Sequence, residues 1–201
     1  EDVYLRLSNL YLKEDALPSA IEVLERARKS GFDTPKVKEA LADLYVKNGN
    51  SELAYDVTSD ELTKVRCLLD LGKKSEAFEK LQQMEEQYGH IAQYHSLKAQ
   101  YYYMTGDYEK ALESVEEFDK AEKNSPLTYQ MRALIYEEQN NDFLAHINWG
   151  KYNLVRGNKD IAINEFLNAY QLKNDDLDLL NTLAMLLEEN DDKNHAMEMY
   201  E

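Results

Sequence analysis

The sequence predicts an all-α chain built from repeated pairs of helices. Gly and Pro together account for only ten of its 201 residues, which leaves few turn residues for a strand-rich fold. A second observation is a series of alanines whose successive separations are 34, 23, 34, 34, 17 and 34 residues. A recurring period of this length is typical of helical repeat arrays. The alanines are Ala20, Ala54, Ala77, Ala111, Ala145, Ala162 and Ala196.

A residue that tolerates a left-handed backbone precedes each of these alanines by five positions. Gly, Asn and Asp adopt that conformation at low cost and therefore end helices. The alternation predicts one helix before each stop and a second helix around each alanine, with about 12 to 14 residues per helix. The seven stops are Asp15, Gly49, Gly72, Gly106, Asn140, Gly157 and Asp191.

Two packing slots recur in the first helix of each pair. Nine residues before the alanine lies a large side chain in six of seven cases, and three residues earlier lies a small one in six of seven. Residues three apart share a helix face, so a neighbouring helix can approach at the small residue and pack against the large one. The large slots are Tyr11, Tyr45, Leu68, Tyr102, Tyr136, Asn153 and Leu187, and the small slots are Ser8, Ala42, Val65, Ala99, Ala133, Gly150 and Ala184.

Two steps depart from the 34-residue period. The 23-residue step predicts a shortened second helix from Ser51 to Val57, followed by a new helix that begins near Ser59 or Asp60. The 17-residue step lets the helix from Asp142 to Arg156 serve as the second helix of the fifth repeat or the first helix of the sixth. A half-repeat changes the alternation of helix direction, so we expect a local irregularity there.

Prolines predict where three helices begin. Pro35 and Pro126 follow Thr34 and Ser125, which are good N-caps, and proline is tolerated at the first helical position. Pro18 is expected to start the second helix of the first repeat for the same reason.

The pattern resembles that of the tetratricopeptide repeat family, whose 34-residue helical hairpin carries W-x2-L-G-x2-Y followed by A-x3-F, A and P. The resemblance implies an α-solenoid of antiparallel helical hairpins in a right-handed superhelix, with about 12–13 helices. The matching residues are Leu7-Ser8-x2-Tyr11 with Ala20, Leu24 and Ala27; Leu41-Ala42-x2-Tyr45 with Gly49 and Ala54; Gly106 to Leu112; and Trp149-Gly150 with Gly157, Ala162, Phe166 and Ala169. One array then covers 1–201, with repeats at 1–34, 35–57 (short), 58–91, 92–125, 126–142 (irregular), 143–176 and 177–201 (truncated).

The resemblance also implies a binding groove lined mainly by the first helix of each repeat. Positions that point away from the packing slots mix amides, apolar groups and few charges, a combination suited to an extended peptide. The predicted groove residues are Asn9, Leu12, Asp43, Arg66, Gln100, Tyr103, Gln130 and Lys151. The same face includes Leu5, Glu39, Val46, Leu62, Leu69, Ser96, Leu134 and Asn181.

Charge and hydropathy argue against several partners. A formal net charge of -16 disfavours nucleic acid, whose phosphates are bound by clustered Lys and Arg. No apolar run approaches the roughly 20 residues that span a bilayer, so we expect no direct membrane insertion. The start carries no signal-peptide pattern. The compartment stays open between the cytoplasm, which we favour, and a location set by a leader or anchor that the fragment has lost. Because the chain begins at Glu1 without Met and ends at Glu201 within an apparent helix, we expect an excised fragment.

The His, Cys and Glu side chains that could catalyse a reaction or bind a metal are not spaced in the sequence so that they would lie close together. His90 and His95 are five apart and therefore turn about 140° from each other on a helix. Cys67 is the only cysteine and is expected to be buried and inert. Adjacent carboxylates such as Glu137 and Glu138 do not face each other and are expected on solvated surface. The sequence thus predicts no enzyme, no cofactor and no metal.

The leading hypothesis is a non-catalytic scaffold that binds a peptide or partner helix of unknown identity in the groove. Two alternatives stay open: the substrate-recognition arm of a larger enzyme, and a regulatory domain that senses a peptide by changing shape. Met197, Met199 and Tyr200 lack the polar outer face of a terminal cap. We therefore expect further repeats beyond Glu201 or a dimer through that end.

Overall fold

The computed structural model describes residues 1–200. The chain forms two compact units, unit 1 from Glu1 to Gly89 and unit 2 from His90 onward. Over the described residues all regular structure is helical, with thirteen α-helices and no strand. The all-α fold class and the number of helices are confirmed.

The helices are short and joined by brief turns. Unit 1 contains α1 (Asp2–Lys13), α2 (Leu17–Lys29), α3 (Pro35–Lys47), α4 (Ser51–Val57), α5 (Glu61–Asp70) and α6 (Lys74–Tyr88). Unit 2 contains α7 (Ala92–Thr105), α8 (Tyr108–Ala121), α9 (Pro126–Glu138), α10 (Asp142–Val155), α11 (Lys159–Leu172), α12 (Leu177–Glu189) and α13 (Lys193–Tyr200). Within each unit every helix packs against the helices that precede and follow it.

All seven predicted helix stops have a positive φ, between 54° and 79°. In every case the N–H of the residue after the stop donates to the carbonyl oxygen of the large-slot residue, at 2.8–3.0 Å. This is the Schellman arrangement, which satisfies carbonyl groups left unpaired at a helix end. The stops inferred from residue type are confirmed, and the large slot has a second role as the backbone acceptor.

The packing slots form the core of both units. All seven alanines of the series are at most 4% exposed, and the seven small-slot residues are buried as well. Among the large slots Tyr11 differs, because it is 37% exposed. Its helix α1 is the first of unit 1, and the outer side chains Val3 and Leu10 on that helix are exposed too. A packing slot is therefore filled only where a neighbouring helix covers it.

The shortened helix and the new helix start predicted from the 23-residue step are confirmed. Helix α4 has seven residues, and the Asp60 carboxylate caps α5 by accepting the N–H of Thr63 at 2.6 Å. Helix α10 packs against both α9 and α11, and its assignment to the fifth or the sixth repeat stays a prediction. The division of the chain into seven repeats remains a prediction.

The prolines lie where helices begin. Pro35 and Pro126 are the first residues of α3 and α9, and the Thr34 hydroxyl accepts the N–H of Val37 at 3.4 Å. Pro18 is the second residue of α2, one position later than a helix start. Proline fits both positions because its missing N–H would have no partner within the helix.

Candidate binding surface

Four predicted groove residues lie in unit 1. Asn9 on α1 and Asp43 on α3 are exposed, and Arg66 on α5 is half-buried. Leu12 on α1 is also half-buried, because it packs against the apolar core of the unit. Three of the four thus present polar side chains toward solvent, and their role in binding stays a prediction.

The other four predicted groove residues lie in unit 2. Gln100 and Tyr103 on α7 and Gln130 on α9 are half-buried, and Lys151 on α10 is exposed. The Tyr103 hydroxyl donates a hydrogen bond to Glu138 on α9 at 3.3 Å.

Two further positions assigned to the groove face are buried instead. Leu62 and Leu69 on α5 are 5% and 0% exposed. Helix α5 also buries Thr63, Val65 and Cys67, so its buried residues point in every direction around the axis. Both leucines therefore pack inside the unit, and the groove prediction for these two residues is wrong.

Glu39 also has a structural role that the groove prediction missed. Its carboxylate accepts the Thr58 hydroxyl, and it accepts the Ser59 N–H at 2.9 Å and the Ser59 hydroxyl at 2.7 Å. Burial would raise the pKa of Glu39, but these hydrogen bonds outweigh burial and hold the pKa below its ordinary value. Glu39 therefore fixes the segment between the short helix α4 and α5.

Unit 2 places aromatic side chains against the two carboxylates at the end of α9. The indole Nε1 of Trp149 on α10 donates to Glu137 at 2.7 Å, and the Tyr103 hydroxyl donates to Glu138. The rings of Tyr103 and Tyr108 have centroids 6.3 Å apart. We call Tyr103, Tyr108, Glu137, Glu138 and Trp149 the aromatic–carboxylate cluster. Its carboxylates are exposed and its rings are half-buried, so a partner can reach it.

Both carboxylates act on one hydroxyl in this cluster. Burial raises the pKa of Tyr103, and the negative charge of Glu138, its hydrogen bond and the charge of Glu137 raise it further. Tyr103 therefore stays protonated at neutral pH and serves as a hydrogen-bond donor.

Sequence reasoning did not identify this cluster as a whole. It placed Tyr103 in the groove, but it assigned Glu137 and Glu138 to solvated surface and Trp149 to repeat packing. The carboxylates are exposed as expected, yet each receives an aromatic donor from a different helix. One sequence signal could have identified the cluster. Glu137 and Glu138 lie in the last turn of α9, where the helix dipole disfavours negative charge.

Other reactive groups are held in packing or in local pairs. Cys67 is fully buried, and burial raises its pKa to about 11, in agreement with the predicted inert thiol. His146 on α10 bonds through Nδ1 to Glu165 on α11 at 2.7 Å. Within residues 1–200, no three His, Cys, Asp or Glu side chains are grouped so that they could hold a metal ion. None of the thirteen described helices combines the length and apolarity needed to cross a membrane.

Known proteins resemble this chain in structure only. No protein-family model matches the sequence, and no curated protein matches it. The structure is similar to a tetratricopeptide repeat protein from Parabacteroides merdae, with a TM-score of 0.62 and 14% identity over 92% of this chain and 84% of that chain.

Two larger proteins contain a similar part. A chain of the APC/C hetero-tetramer Cut9-Hcn1 matches with a TM-score of 0.55 and 12% identity, over 98% of this chain and 38% of that one. The human IFIT1 dimer with m7Gppp-AAAA matches with a TM-score of 0.54 and 17% identity, over 92% of this chain and 44% of that one. This chain thus spans less than half the length of those two proteins. At these identities the similarity shows the fold, which is of the tetratricopeptide type.

Proposed function

Because the chain has the tetratricopeptide-type fold, we propose that it is a non-catalytic scaffold that holds a protein or peptide on the exposed faces of its first helices. One observation carries the proposal. The recurring small residues and alanines are all buried, whereas seven of the eight predicted groove residues keep polar side chains that are exposed or half-buried. Polar amides, a tyrosine and a few charges on such a surface suit the backbone and side chains of a bound peptide.

The proposed partner is a protein rather than a nucleic acid. The similar IFIT1 structure contains m7Gppp-AAAA. In this chain, however, residues 90–201 hold 21 Asp and Glu against 10 Lys and Arg, which accounts for -11 of the net charge of -16. Such an excess repels phosphate groups, because nucleic-acid binding depends on clustered cations.

Binding to an array of immobilised peptides tests the proposal with two fourfold alanine variants. The first variant changes predicted groove residues, and the second changes exposed residues of similar type on second helices and on α11. The groove variant replaces Asn9, Arg66, Gln100 and Tyr103; the control replaces Arg26, Gln82, Asn168 and Gln171. We expect the wild type and the control to bind the same peptides and the groove variant to lose them. Equal binding by all three proteins would refute the proposal.

We also propose that two copies associate through the outer face of α12 and α13. Met197 and Tyr200 on α13 are 62% and 53% exposed, and apolar side chains of this kind are stabilised when a second copy covers them. The same helices carry the acidic Glu188 and Glu198, so salt should strengthen the association by screening repulsion.

Sedimentation velocity at increasing protein concentration tests this association. We expect a dimer that grows with concentration and with salt, and that is lost when Met197 is replaced by Glu. A protein that remains a monomer at the highest concentration and at high salt would contradict it.

A further inference from the structure

The end of α9 places negative charge where the helix itself disfavours it. Glu137 and Glu138 occupy the last turn, which contains no Lys or Arg. The C-terminus of a helix carries a partial negative charge, so carboxylates there are destabilising unless a cation is near. The next residues, Gln139 to Asn141, supply no cation.

The hydrogen-bond partners of these two carboxylates are neutral. Glu137 accepts from the indole of Trp149, and Glu138 accepts from the hydroxyl of Tyr103. Other carboxylates of the chain are paired with cations: Asp33 with Arg28 and Lys38, Glu61 with Lys64 and Lys80, and Glu189 with Lys159, all at 2.5–3.0 Å. The carboxylates of the cluster therefore have acceptor capacity and negative charge to offer to a cation from outside.

Aromatic rings close to the carboxylates can add a second attraction for a cation. The negative face of an aromatic ring attracts ammonium and guanidinium groups within about 6 Å of the ring centre. Elsewhere in unit 2 the chain uses this contact itself, with Arg156 lying 5.3 Å from the Tyr152 ring and Lys110 lying 5.4 Å from the Tyr102 ring. Over the part of the chain that the structure describes, no Lys or Arg lies over the ring of Tyr103 or Trp149.

We propose that the aromatic–carboxylate cluster binds an arginine side chain of a basic peptide segment, so that the partner of the scaffold is basic. Guanidinium is the best fit because its planar fork of N–H donors can bond carboxylates while its face stacks on an aromatic ring. The net charge of -11 over residues 90–201 draws such a segment toward unit 2. The inference rests on the proposed function, because it names the chemistry of the partner that the scaffold holds.

The test uses an unlabelled hexapeptide of alternating arginine and glycine, with a glutamate–glycine hexapeptide as its counterpart. Two double variants of the full chain are compared, E137Q/E138Q in the cluster and E116Q/E117Q on α8. Each removes two adjacent, exposed carboxylates from unit 2, so the long-range attraction falls by the same amount in both. Glutamine keeps an acceptor for Tyr103 and for Trp149, and circular dichroism melting checks that both variants fold like the wild type.

Two readouts separate a specific site from general attraction to an acidic surface. By calorimetry, E137Q/E138Q should raise the Kd of the arginine peptide about tenfold or more, because hydrogen bonds to charged groups are lost, whereas E116Q/E117Q should change it less than about threefold. Trp149 is the only tryptophan of the chain, so its fluorescence reports on the cluster alone. Its emission should shift when the arginine peptide binds and should not respond to the glutamate peptide.

Equal Kd values for the two double variants, or binding that leaves Trp149 emission unchanged, would overturn the arginine site. Such a failure is distinguishable from failure of the proposed function. Peptides without arginine that bind the wild type and are lost in the groove variant would support the scaffold even when the arginine site fails its own test. Equal binding by all proteins on the peptide array would refute the scaffold itself.

Discussion

The contact between Gly150 and Phe166 offers the sharpest test of how α10 packs against α11. A Cβ added at Gly150 would lie 2.5–2.7 Å from three ring carbons of Phe166, which is itself 1% exposed. Real Cβ atoms do not approach other atoms so closely, so the buried ring would have to shift. The substitution Gly150→Ala therefore sets a steric cost against the higher helix propensity of alanine.

The magnitude follows from these two opposing effects. Overpacking a close-packed core by one methyl group costs about 1–3 kcal/mol, and replacing Gly by Ala within a helix stabilises it by about 1 kcal/mol. We expect G150A to lower the free energy of unfolding by about 1 kcal/mol. In a F166L background the ring is absent, so the same substitution should raise that free energy by about 1 kcal/mol. The double-mutant cycle then gives a coupling of about 2 kcal/mol between the two positions.

Urea unfolding followed by Trp149 fluorescence measures all four proteins, because this tryptophan is adjacent to Gly150. The thermal midpoint of G150A should fall by about 2–4 °C. If G150A stabilises the chain equally in both backgrounds, the ring moves aside without cost and the packing argument fails.

Three further predictions rest on single buried groups. The Thr128 hydroxyl is buried without a hydrogen-bond partner, so T128V should leave the free energy of unfolding unchanged or raise it by up to about 1 kcal/mol. The matched substitution T58V should lower the free energy of unfolding by about 1–2 kcal/mol in the same urea titration, because Glu39 loses a hydrogen-bond donor. A larger loss of stability in T128V than in T58V would contradict the hydrogen-bond assignment. Cys67 should react with iodoacetamide at pH 8 only after unfolding, because burial raises the pKa of its thiol to about 11. Rapid labelling of the native chain, detected by mass spectrometry, would disprove this. Burial and the Glu25 carboxylate raise the pKa of Tyr45 to about 12. The unfolded chain then loses this proton first, so stability should fall between about pH 10 and about pH 12, and Y45F should weaken that dependence in denaturation measured across this range.

Local residue types predicted the helices well because each helix end is decided by its own backbone. Gly, Asn and Asp tolerate a positive φ whatever surrounds them, so Asp15 and Asn140 could be recognised as stops from the sequence alone. Burial of the small slots was predictable for a similar reason, since only a small side chain lets two helix backbones approach closely.

Contacts between helices were much less predictable. Glu39 was assigned to the groove face of α3, but its carboxylate accepts the Ser59 N–H in the segment that joins the seven-residue α4 to α5. Leu69 occupies a groove position in the repeat pattern, yet its side chain is fully buried. A repeat pattern states which face of a helix points toward the previous or next repeat. It does not state which side chain reaches across when a neighbouring helix is shortened.

The position of α10 between α9 and α11 explains why the aromatic–carboxylate cluster lies where it does. Ala145 and Gly150 are five residues apart on α10, so they point about 140° away from each other and can serve two neighbouring helices. Gly150 meets Phe166 on α11, whereas Trp149 lies on the Ala145 side and reaches Glu137 on α9. Because α10 packs against helices on two sides, the indole of Trp149 is left half-buried between them, with its N–H donated to the Glu137 carboxylate.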